Sequence, residues 1–228
     1  MGGCEQLEGV VIRLVAYGES HRLVEALTAP YGRMILVAPG ARHSQRRFGA
    51  VDLFVQLRMQ ARQQRDRWTL TSACSLRSRM GIRTSYDLIQ RAGRLCEMVR
   101  VLAPENVEAT AFVQALVAGL DALHAGTLAQ AAVYHCALLQ AAGLLPQLDR
   151  CQRCQRQHHD IAIAHIGPEG VQCPACWGRR DNHTDAIARA MRSMQTTETW
   201  VADALERTAM AMAQHHTGRV LRTQPTAR

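Results

Sequence analysis

The sequence predicts an α+β protein in which a small β-barrel comes first and a helical region follows, interrupted by a metal-binding ribbon. Three observations lead to this fold class. Apolar and polar residues alternate through short segments between residues 10 and 74, as they do in strands with one buried face. Beyond residue 74, apolar residues recur every three or four positions, as they do in amphipathic helices. Two Cys-x-x-Cys pairs then lie between residues 151 and 176.

Five strands are predicted in the first part of the chain. The most regular alternation covers residues 50–60, and the other strands cover residues 10–16, 22–28, 33–38 and 67–74. Gly, Pro and Asp residues in the breaks between them are typical of tight turns. Five short antiparallel strands favour a closed barrel, because an open sheet leaves two edges to protect. An OB-fold is the natural candidate, and an SH3-like barrel fits the same pattern.

Helices are predicted in the rest of the chain. The first begins near Thr84, whose spacing to Asp87 resembles a capping box, and ends before Pro104. The others cover residues 106–123, 128–142, 185–194 and 197–216. The helix at 128–142 is apolar almost all round, so we expect it at the centre of a bundle and interpret His135 within it as a core residue. Trp200 is assigned to the core by its helical spacing with other apolar residues.

The cysteine pairs have the spacing of a structural zinc site. Eighteen residues separate the first pair from the second, and the predicted metal ligands are Cys151, Cys154, Cys173 and Cys176. Each pair can place two sulfurs on one side of a tight turn, and four thiolates complete the tetrahedral shell of Zn²⁺. Because no coordination position stays open for water, we expect the ion to hold a loop together rather than to perform chemistry.

Disulfides or free thiols are the alternatives for these cysteines. No apolar run of a secretory signal follows the N-terminus, and the other four cysteines lie among apolar residues, as buried thiols do. Both observations predict a reduced, cytoplasmic compartment, which disfavours disulfides. His158, His159 and His165 lie between the pairs and can replace a cysteine ligand, but four sulfurs already complete the shell.

The charge of the chain points to an acidic polymer as its partner. The net charge is +8, and all 27 basic residues are Arg. Up to Arg100 there are 16 Arg against 8 acidic residues, and beyond it 11 against 11. Arginine binds phosphate through a planar fork, so the excess in the first part predicts nucleic-acid binding. Genomic composition explains well why the chain has no Lys, but it does not explain why the excess of Arg lies in the first part of the chain.

The candidate binding segment covers residues 32–49. A strand and a Pro-Gly break are followed by Arg42, Arg46 and Arg47, and we expect a mobile loop that follows a phosphate backbone. The barrel half has only five aromatic residues, so binding should depend on phosphate neutralisation and weaken steeply with salt. Glycine-rich nucleotide loops and paired carboxylates at a strand end are absent from the sequence, which gives catalysis little support.

Several segments, in their order and spacing, resemble one known family. They are the opening strand with Tyr17-Gly18-Glu19, the run from Tyr31-Gly32-Arg33 to Val37-Ala38 with Gly40-Ala41-Arg42, the helical middle, and the end Glu169-Gly170-Val171-Gln172-Cys173-Pro174-Ala175-Cys176. Together they resemble the bacterial DNA repair protein RecO family. The resemblance implies an N-terminal OB-fold over residues 1–76, a helical domain over 77–228 and a zinc ribbon inserted into it at 149–178.

The resemblance further implies a recombination mediator and not an enzyme. Such proteins bind single- and double-stranded DNA, anneal complementary strands and contact single-stranded DNA-binding protein, and they act with RecR to let RecA load on covered strands. A cytoplasmic, nucleoid-associated protein without membrane contact is expected. The positions that match basic positions of the family's DNA-binding barrel are Arg33, Arg42, Arg46 and Arg47, with Arg58 as a weaker match.

Two other classes of function fit parts of the pattern. A zinc-ribbon module that binds RNA in translation or RNA processing would also need a barrel, a ribbon and exposed arginines, and it would prefer structured RNA to single-stranded DNA. A zinc hydrolase needs an open coordination position on the metal, which a shell of four cysteines does not provide.

Overall fold

The computed structural model describes residues 4–157 and 162–221. Within these ranges five strands close into a barrel in the order β1-β2-β3-β5-β4, with β4 pairing back to β1. The strands are β1 Cys4–Tyr17, β2 His21–Thr28, β3 Gly32–Ala38, β4 Gln56–Gln64 and β5 Arg67–Arg77. All neighbours are antiparallel except β3 and β5. The predicted five-stranded barrel is confirmed, and the barrel is OB-like.

The barrel closes because β1 is long enough to pair with two other strands. Its first half pairs with β4 and its second half with β2, and a register shift between Val11 and Arg13 bends the strand between the two partners. Side chains from all five strands alternate into the interior, as the sequence pattern requires. The buried inward-facing residues include Val24, Ala26, Met34, Leu36, Leu57, Met59 and Leu70.

The predicted strand at residues 50–60 is wrong in its first half, because β4 begins only at Gln56. Phe54 lies in a turn with φ +68, a left-handed conformation that breaks an extended chain. Hydrogen bonds of 3.0 Å from the Phe54 N–H to the Val11 carbonyl, and from the Val11 N–H to the Val55 carbonyl, hold this turn on β1. In this conformation the Phe54 side chain belongs to the helical core, and this packing favours the turn over a continued strand.

The helices are α1 Gln45–Phe48, α2 Tyr86–Leu102, α3 Thr110–His124, α4 Leu128–Ala141, α5 Pro174–Trp177, α6 Asn182–Ser193 and α7 Thr199–Thr217. The five long ones form the helical region. Within it α4 packs against α3 and α7 and also contacts α2 and α6, which explains why it is apolar almost all round. The structure thus has the predicted helical region after the barrel, whereas the division of the chain after residue 76 stays a prediction.

Two helix starts differ from the predictions. The N-cap of α2 is Ser85, and the Thr84 hydroxyl donates instead to the Gly81 carbonyl at 2.8 Å, so the predicted capping box is absent. The predicted helix at 106–123 begins only at Thr110. The preceding residues cannot continue it, because Asn106 has φ +57 and the segment is drawn towards the barrel by a backbone hydrogen bond.

Trp200 is also placed differently from its prediction. Its side chain is 41 % exposed in the first turn of α7, and its Nε1 donates to a Glu198 carboxylate oxygen at 2.6 Å. The core face of α7 is formed by the residues that the same periodicity marks further along the helix, among them Val201 and Leu205. The polar partner of its ring nitrogen keeps Trp200 at the surface.

The barrel and the helical region share one carboxylate. Glu25 on β2 is 4 % exposed and accepts from Arg33 Nη1 at 2.8 Å and from Arg100 Nε at 3.1 Å. These bonds join β2, β3 and α2 at one point. Close approach of the two parts requires Gly32, because it has φ +59 and a Cβ there would lie 2.4 Å from the Pro104 carbonyl oxygen.

A second buried carboxylate lies inside the helical region. Glu206 on α7 is 1 % exposed and accepts hydrogen bonds from Arg94 Nε and, at 3.0 Å, from Arg91 Nη1. His135 on α4 places its Nδ1 3.2 Å from the Ala132 carbonyl and its Nε2 3.6 Å from Glu206. Burial lowers the pKa of His135, although the carboxylate of Glu206 opposes this shift. His135 is therefore a core residue, as predicted.

Candidate metal centre and nucleic-acid surface

The four predicted cysteine ligands come together in the structure. The sulfur atoms of Cys151, Cys154, Cys173 and Cys176 all lie within 4.8 Å of one another, and those of Cys154 and Cys173 are 3.8 Å apart. A tetrahedral ion with Zn–S bonds of about 2.3 Å requires sulfurs about 3.8 Å apart. The donor atoms and their spacing therefore fit Zn²⁺.

Backbone hydrogen bonds shape the turn that contains each cysteine pair. In the first turn the Gln155 N–H donates to the Cys151 carbonyl at 2.8 Å, and in the second the Cys176 N–H donates to the Cys173 carbonyl at 3.0 Å. The Cys173 N–H also lies 3.5 Å from the Cys151 sulfur, so the two turns face each other. These backbone hydrogen bonds hold the four sulfurs close to one another without help from an ion.

The electrostatics of the cluster suit a cation. Burial opposes ionisation of the Cys151 thiol, but hydrogen bonds from the backbone N–H groups of Cys154, Cys173 and Arg153 outweigh it and lower the pKa of Cys151 to about 6. Burial and hydrogen bonds with the neighbouring cysteine sulfurs raise the pKa of Cys176 to about 12. One thiolate thus forms readily, whereas further negative charge in the cluster needs a positive ion to offset it.

A short hairpin and α6 hold the cluster in place. The hairpin consists of β6 His165–Gly167 and β7 Gly170–Gln172, and the Gln152 N–H donates to the Val171 carbonyl at 2.9 Å. The Ile163 N–H donates to Asp185 of α6 at 3.0 Å, which ties the segment just before the hairpin to the helical region. His158 and His159 lie outside the described residues. Among those described, the metal-type cluster consists of cysteines alone, and His165 packs on Trp177 instead.

Three of the predicted DNA-binding residues lie together at one end of the barrel. Arg42, Arg46 and Arg47, here called the loop arginines, are all exposed in and just before α1. The sequence predicts a mobile loop here, whereas the structure has the short helix α1. The Phe48 side chain is buried in the barrel core and anchors this helix. Arg47 is fixed over the Phe48 ring at 4.9 Å. No loop arginine forms an ion pair with an acidic group in residues 4–157 or 162–221.

The other two predicted DNA-binding residues lie apart from this group and are paired with carboxylates. Arg33 is at the start of β3, five residues from its end and thus about 17 Å from the loop side of the barrel. Its guanidinium binds Glu25 and Glu105. Arg58 on β4 is exposed and forms a 3.0 Å ion pair with Glu8 on β1.

Most aromatic rings of the barrel half are committed to packing. Phe48, Phe54 and Trp68 are buried, and Tyr31 packs beside Trp68 with ring centroids 5.2 Å apart. The hydrogen bond from the Tyr31 hydroxyl to Glu5 raises the pKa of Tyr31, with burial adding to the shift. Only Tyr17 of the five is exposed. The barrel surface accordingly offers guanidinium groups rather than rings.

A second group of basic residues is hidden in the balanced charge of the second half of the chain. Between residues 150 and 180 there are five arginines against two acidic residues, and the rest of the chain beyond Arg100 has six against nine. A count in short windows shows this local excess. The four exposed members, here called the ribbon arginines, are Arg153, Arg156, Arg179 and Arg180.

Comparison with known proteins gives one consistent family. Residues 1–79 match the family model described as "Recombination protein O N terminal", and residues 83–222 match "Recombination protein O C terminal". Proteins named DNA repair protein RecO are similar along most of the chain. The one from Anaeromyxobacter sp. (strain K) is 40 % identical over 177 residues, which cover 75 % of this chain and 70 % of the relative.

More distant relatives of the same name cover more of the chain. The protein from Myxococcus xanthus is 31 % identical over 82 % of this chain and 78 % of its own length. The one from Pelobacter propionicus is 29 % identical over 84 % of this chain and 80 % of its own length.

Among the described residues, no helix combines the length and apolar character that crossing a membrane requires. Both family models and these relatives agree, and the chain therefore belongs to the recombination protein O (RecO) family.

Proposed function

We propose that this protein is a recombination mediator in DNA repair and not an enzyme. It binds single- and double-stranded DNA, anneals complementary strands and contacts single-stranded DNA-binding protein. With RecR it helps RecA load onto strands that are covered by the single-stranded DNA-binding protein. It acts in the cytoplasm, in association with the nucleoid. Membership of the family and the named relatives support this proposal.

The observation that carries the proposal is the group of loop arginines. Three exposed guanidiniums stand within six residues at one end of an OB-like barrel, without described carboxylate partners. Phosphate groups can therefore bind them without displacing an ion pair. Arg33 and Arg58 are proposed as secondary contacts, because each would first have to leave its carboxylate.

Annealing follows from charge neutralisation. Two complementary strands repel each other through their phosphates, and a surface that neutralises the phosphates without reading bases lets pairing proceed. No nucleotide hydrolysis is required for this step. The scarcity of exposed rings on the barrel fits binding that is independent of sequence and steeply dependent on salt.

We also propose that Cys151, Cys154, Cys173 and Cys176 hold a structural Zn²⁺ ion. The ion would offset the charge of the thiolates and fasten the two cysteine turns to each other. Because four protein ligands fill the tetrahedral shell, the ion would stabilise the ribbon without activating water. The prediction of the ribbon at residues 149–178 is kept as part of this proposal.

The mediator proposal is tested by annealing of complementary oligonucleotides coated with the cognate single-stranded DNA-binding protein, without ATP. The wild-type protein should accelerate annealing, and the triple variant Arg42→Ala/Arg46→Ala/Arg47→Ala should lose most of this effect. The salt slope of single-strand binding should fall by about 2, because each lost phosphate contact contributes about 0.7.

A second triple variant provides the matched control. Arg192→Ala/Arg207→Ala/Arg219→Ala removes the same charge from exposed positions on α6, on α7 and just after α7, and should leave the salt slope unchanged. Equal slopes for the loop variant and wild type would remove the loop arginines from the interface. Preference for structured RNA over single-stranded DNA would favour the RNA-binding alternative instead.

Metal removal tests the zinc proposal. Chelation should release about one equivalent of zinc and lower the unfolding temperature, because the cation that holds the thiolates together is lost. Cys154→Ser should bind zinc more weakly. Cys74→Ser should behave like wild type, because Cys74 lies on β5 outside the cluster and is exposed, in contrast to the burial that its apolar sequence context predicts. An unchanged melting curve after complete metal removal would contradict a structural role.

A further inference from the structure

An exposed ring stack lies beside the second cysteine turn. Trp177 directly follows Cys176, and its side chain is 38 % exposed. His165 of β6 stacks on the indole, with ring centroids 3.9 Å apart and planes 10° apart. The Trp177 N–H donates to the Cys173 carbonyl at 2.9 Å, and Gly178 ends α5 in the left-handed region. Backbone and stacking together fix the indole at the surface.

The ribbon arginines lie on both sides of this stack in the sequence, and no ion pair with an acidic group is described for them. Arg153 donates from Nη1 to the Cys176 carbonyl at 3.1 Å, which places its guanidinium beside the residue that precedes Trp177. Arg179 and Arg180 follow Trp177 after a single glycine. In the described ranges 4–157 and 162–221, none of the ribbon arginines forms an ion pair with an acidic residue. A flat ring and unpaired guanidiniums thus occur together.

Trp200 shows that exposure alone does not create such a site. It is exposed to a similar degree, 41 %, but its Nε1 donates to Glu198. The neighbouring His183 meets it edge-on, with planes 77° apart. A phosphate close to Trp200 would be repelled by the Glu198 carboxylate. Trp177 and Trp200 are therefore similarly exposed, but Trp177 has guanidinium groups nearby, whereas Trp200 has a carboxylate.

We propose that this corner of the ribbon is a second nucleic-acid contact, in which one base of a single strand stacks on Trp177 and the adjoining phosphates bind the ribbon arginines. The proposal rests on the DNA-binding function proposed above and adds a base contact that the barrel largely lacks. Stacking accepts any base, because every base has a flat π-face. A duplex keeps its bases inside the helix, so this contact selects single strands.

The contact gives the metal a definite task. Zinc would hold together the two cysteine turns that carry Arg153 and Trp177, and so set the distance between the ring and the phosphate-binding groups. The loop arginines would then supply most of the salt-dependent affinity, and Trp177 a salt-independent part, since stacking releases no counterions. The two surfaces can therefore be separated by experiment.

The test compares a thymidine oligonucleotide with an abasic oligonucleotide of the same length, using the zinc-loaded full chain. Wild type should bind the thymidine oligonucleotide about tenfold more tightly, because only it can stack. Trp177→Ala should lose this preference and Trp177→Phe should keep most of it. Trp200→Ala is the matched control and should behave like wild type. Zinc content is measured for each variant, so that loss of the ribbon is recognised.

The outcomes distinguish this proposal from the function on which it rests. Wild type can bind both oligonucleotides while Trp177→Ala prefers the thymidine oligonucleotide as strongly as Trp200→Ala does. In that case the stacking contact is overturned and DNA binding stands. If wild type binds neither, both are overturned. Unchanged DNA binding together with weaker binding of a polyglutamate peptide by Trp177→Ala would assign the surface to an acidic peptide and overturn the proposal.

A direct readout comes from photochemical crosslinking. An oligonucleotide with one bromodeoxyuridine should crosslink to Trp177, identified by mass spectrometry of the peptides. The crosslink should persist in the triple variant of the loop arginines at low salt, because the ring stack does not depend on them. Crosslinks confined to the barrel in both proteins would overturn the proposal.

Discussion

Two sets of arginines in this protein differ in their partners. Arg91 and Arg94 on α2 are mostly buried and bind Glu206, and Arg33 binds Glu25 where barrel and helices meet. The loop arginines and the ribbon arginines are exposed and form no ion pair with a described acidic residue. The same side chain therefore stabilises the fold in one group and is available to a ligand in the other.

This difference shows why the net charge of +8 is a poor measure of the binding surface. Arg79 illustrates the point, because its side chain is fully buried and donates to Asp121 at 2.6 Å and to the Phe54 carbonyl at 3.0 Å. Burial lowers the pKa of Arg79, although Asp121 opposes this shift. Such an arginine contributes charge to the composition but no site for phosphate.

Removal of the buried carboxylate should have the largest effect on stability. Glu206→Gln leaves the buried Arg94 without a carboxylate partner at a site with almost no access to water, whereas Arg91 keeps two other carboxylate partners. We expect the free energy of unfolding to fall by about 3–5 kcal/mol. Urea denaturation with a constant m-value is the measurement. The control is Glu8→Gln in the exposed pair with Arg58, which should cost less than about 1 kcal/mol. Equal losses would contradict the division into two groups.

Acidification should weaken the same buried cluster by a smaller amount. Because burial lowers the pKa of His135, the unfolded chain takes up the proton first. The stability contributed by neutral His135 is complete above the ordinary histidine pKa of about 6.5 and is lost as the pH falls towards the lower folded value. The slope is at most about 1.4 kcal/mol per pH unit.

His135→Gln tests this pH dependence. Unfolding free energies measured between pH 7.5 and 5.5 should fall less steeply for His135→Gln than for wild type. His43→Gln, at an exposed position before α1, should leave the slope unchanged. Parallel curves for His135→Gln and wild type would show that His135 does not titrate differently on unfolding.

The smallest effect should come from converting a paired arginine into an unpaired one. Glu8→Gln releases Arg58, so the salt slope of single-strand binding should rise by about 0.7 if the freed guanidinium meets a phosphate. Glu108→Gln removes the same charge from an exposed position before α3 and separates the local effect from net charge. A slope that rises equally in both variants would remove Arg58 from the DNA surface.

Features that depend on residue type at fixed spacing can be predicted from the amino-acid sequence of this protein. The strand alternation gave five strands, the all-round apolar character of α4 gave its central place, and the two Cys-x-x-Cys pairs gave the cluster of sulfurs. These features follow from local periodicity, because a strand or a cysteine turn needs few distant contacts to be specified. The family resemblance is confirmed as well.

Contacts between distant parts of the chain determine where it departs from its local pattern and which charges are paired. The alternation through residues 50–55 is broken because Phe54 packs into the helical core, and the helix predicted from residue 106 begins later because the segment bonds to the barrel. Arg33 and Arg46 are both predicted from the sequence to bind DNA. Of the two, only Arg33 forms ion pairs with described carboxylates, those of Glu25 and Glu105. Glu105 lies 72 residues from Arg33, and periodicity carries no information about such distant partners.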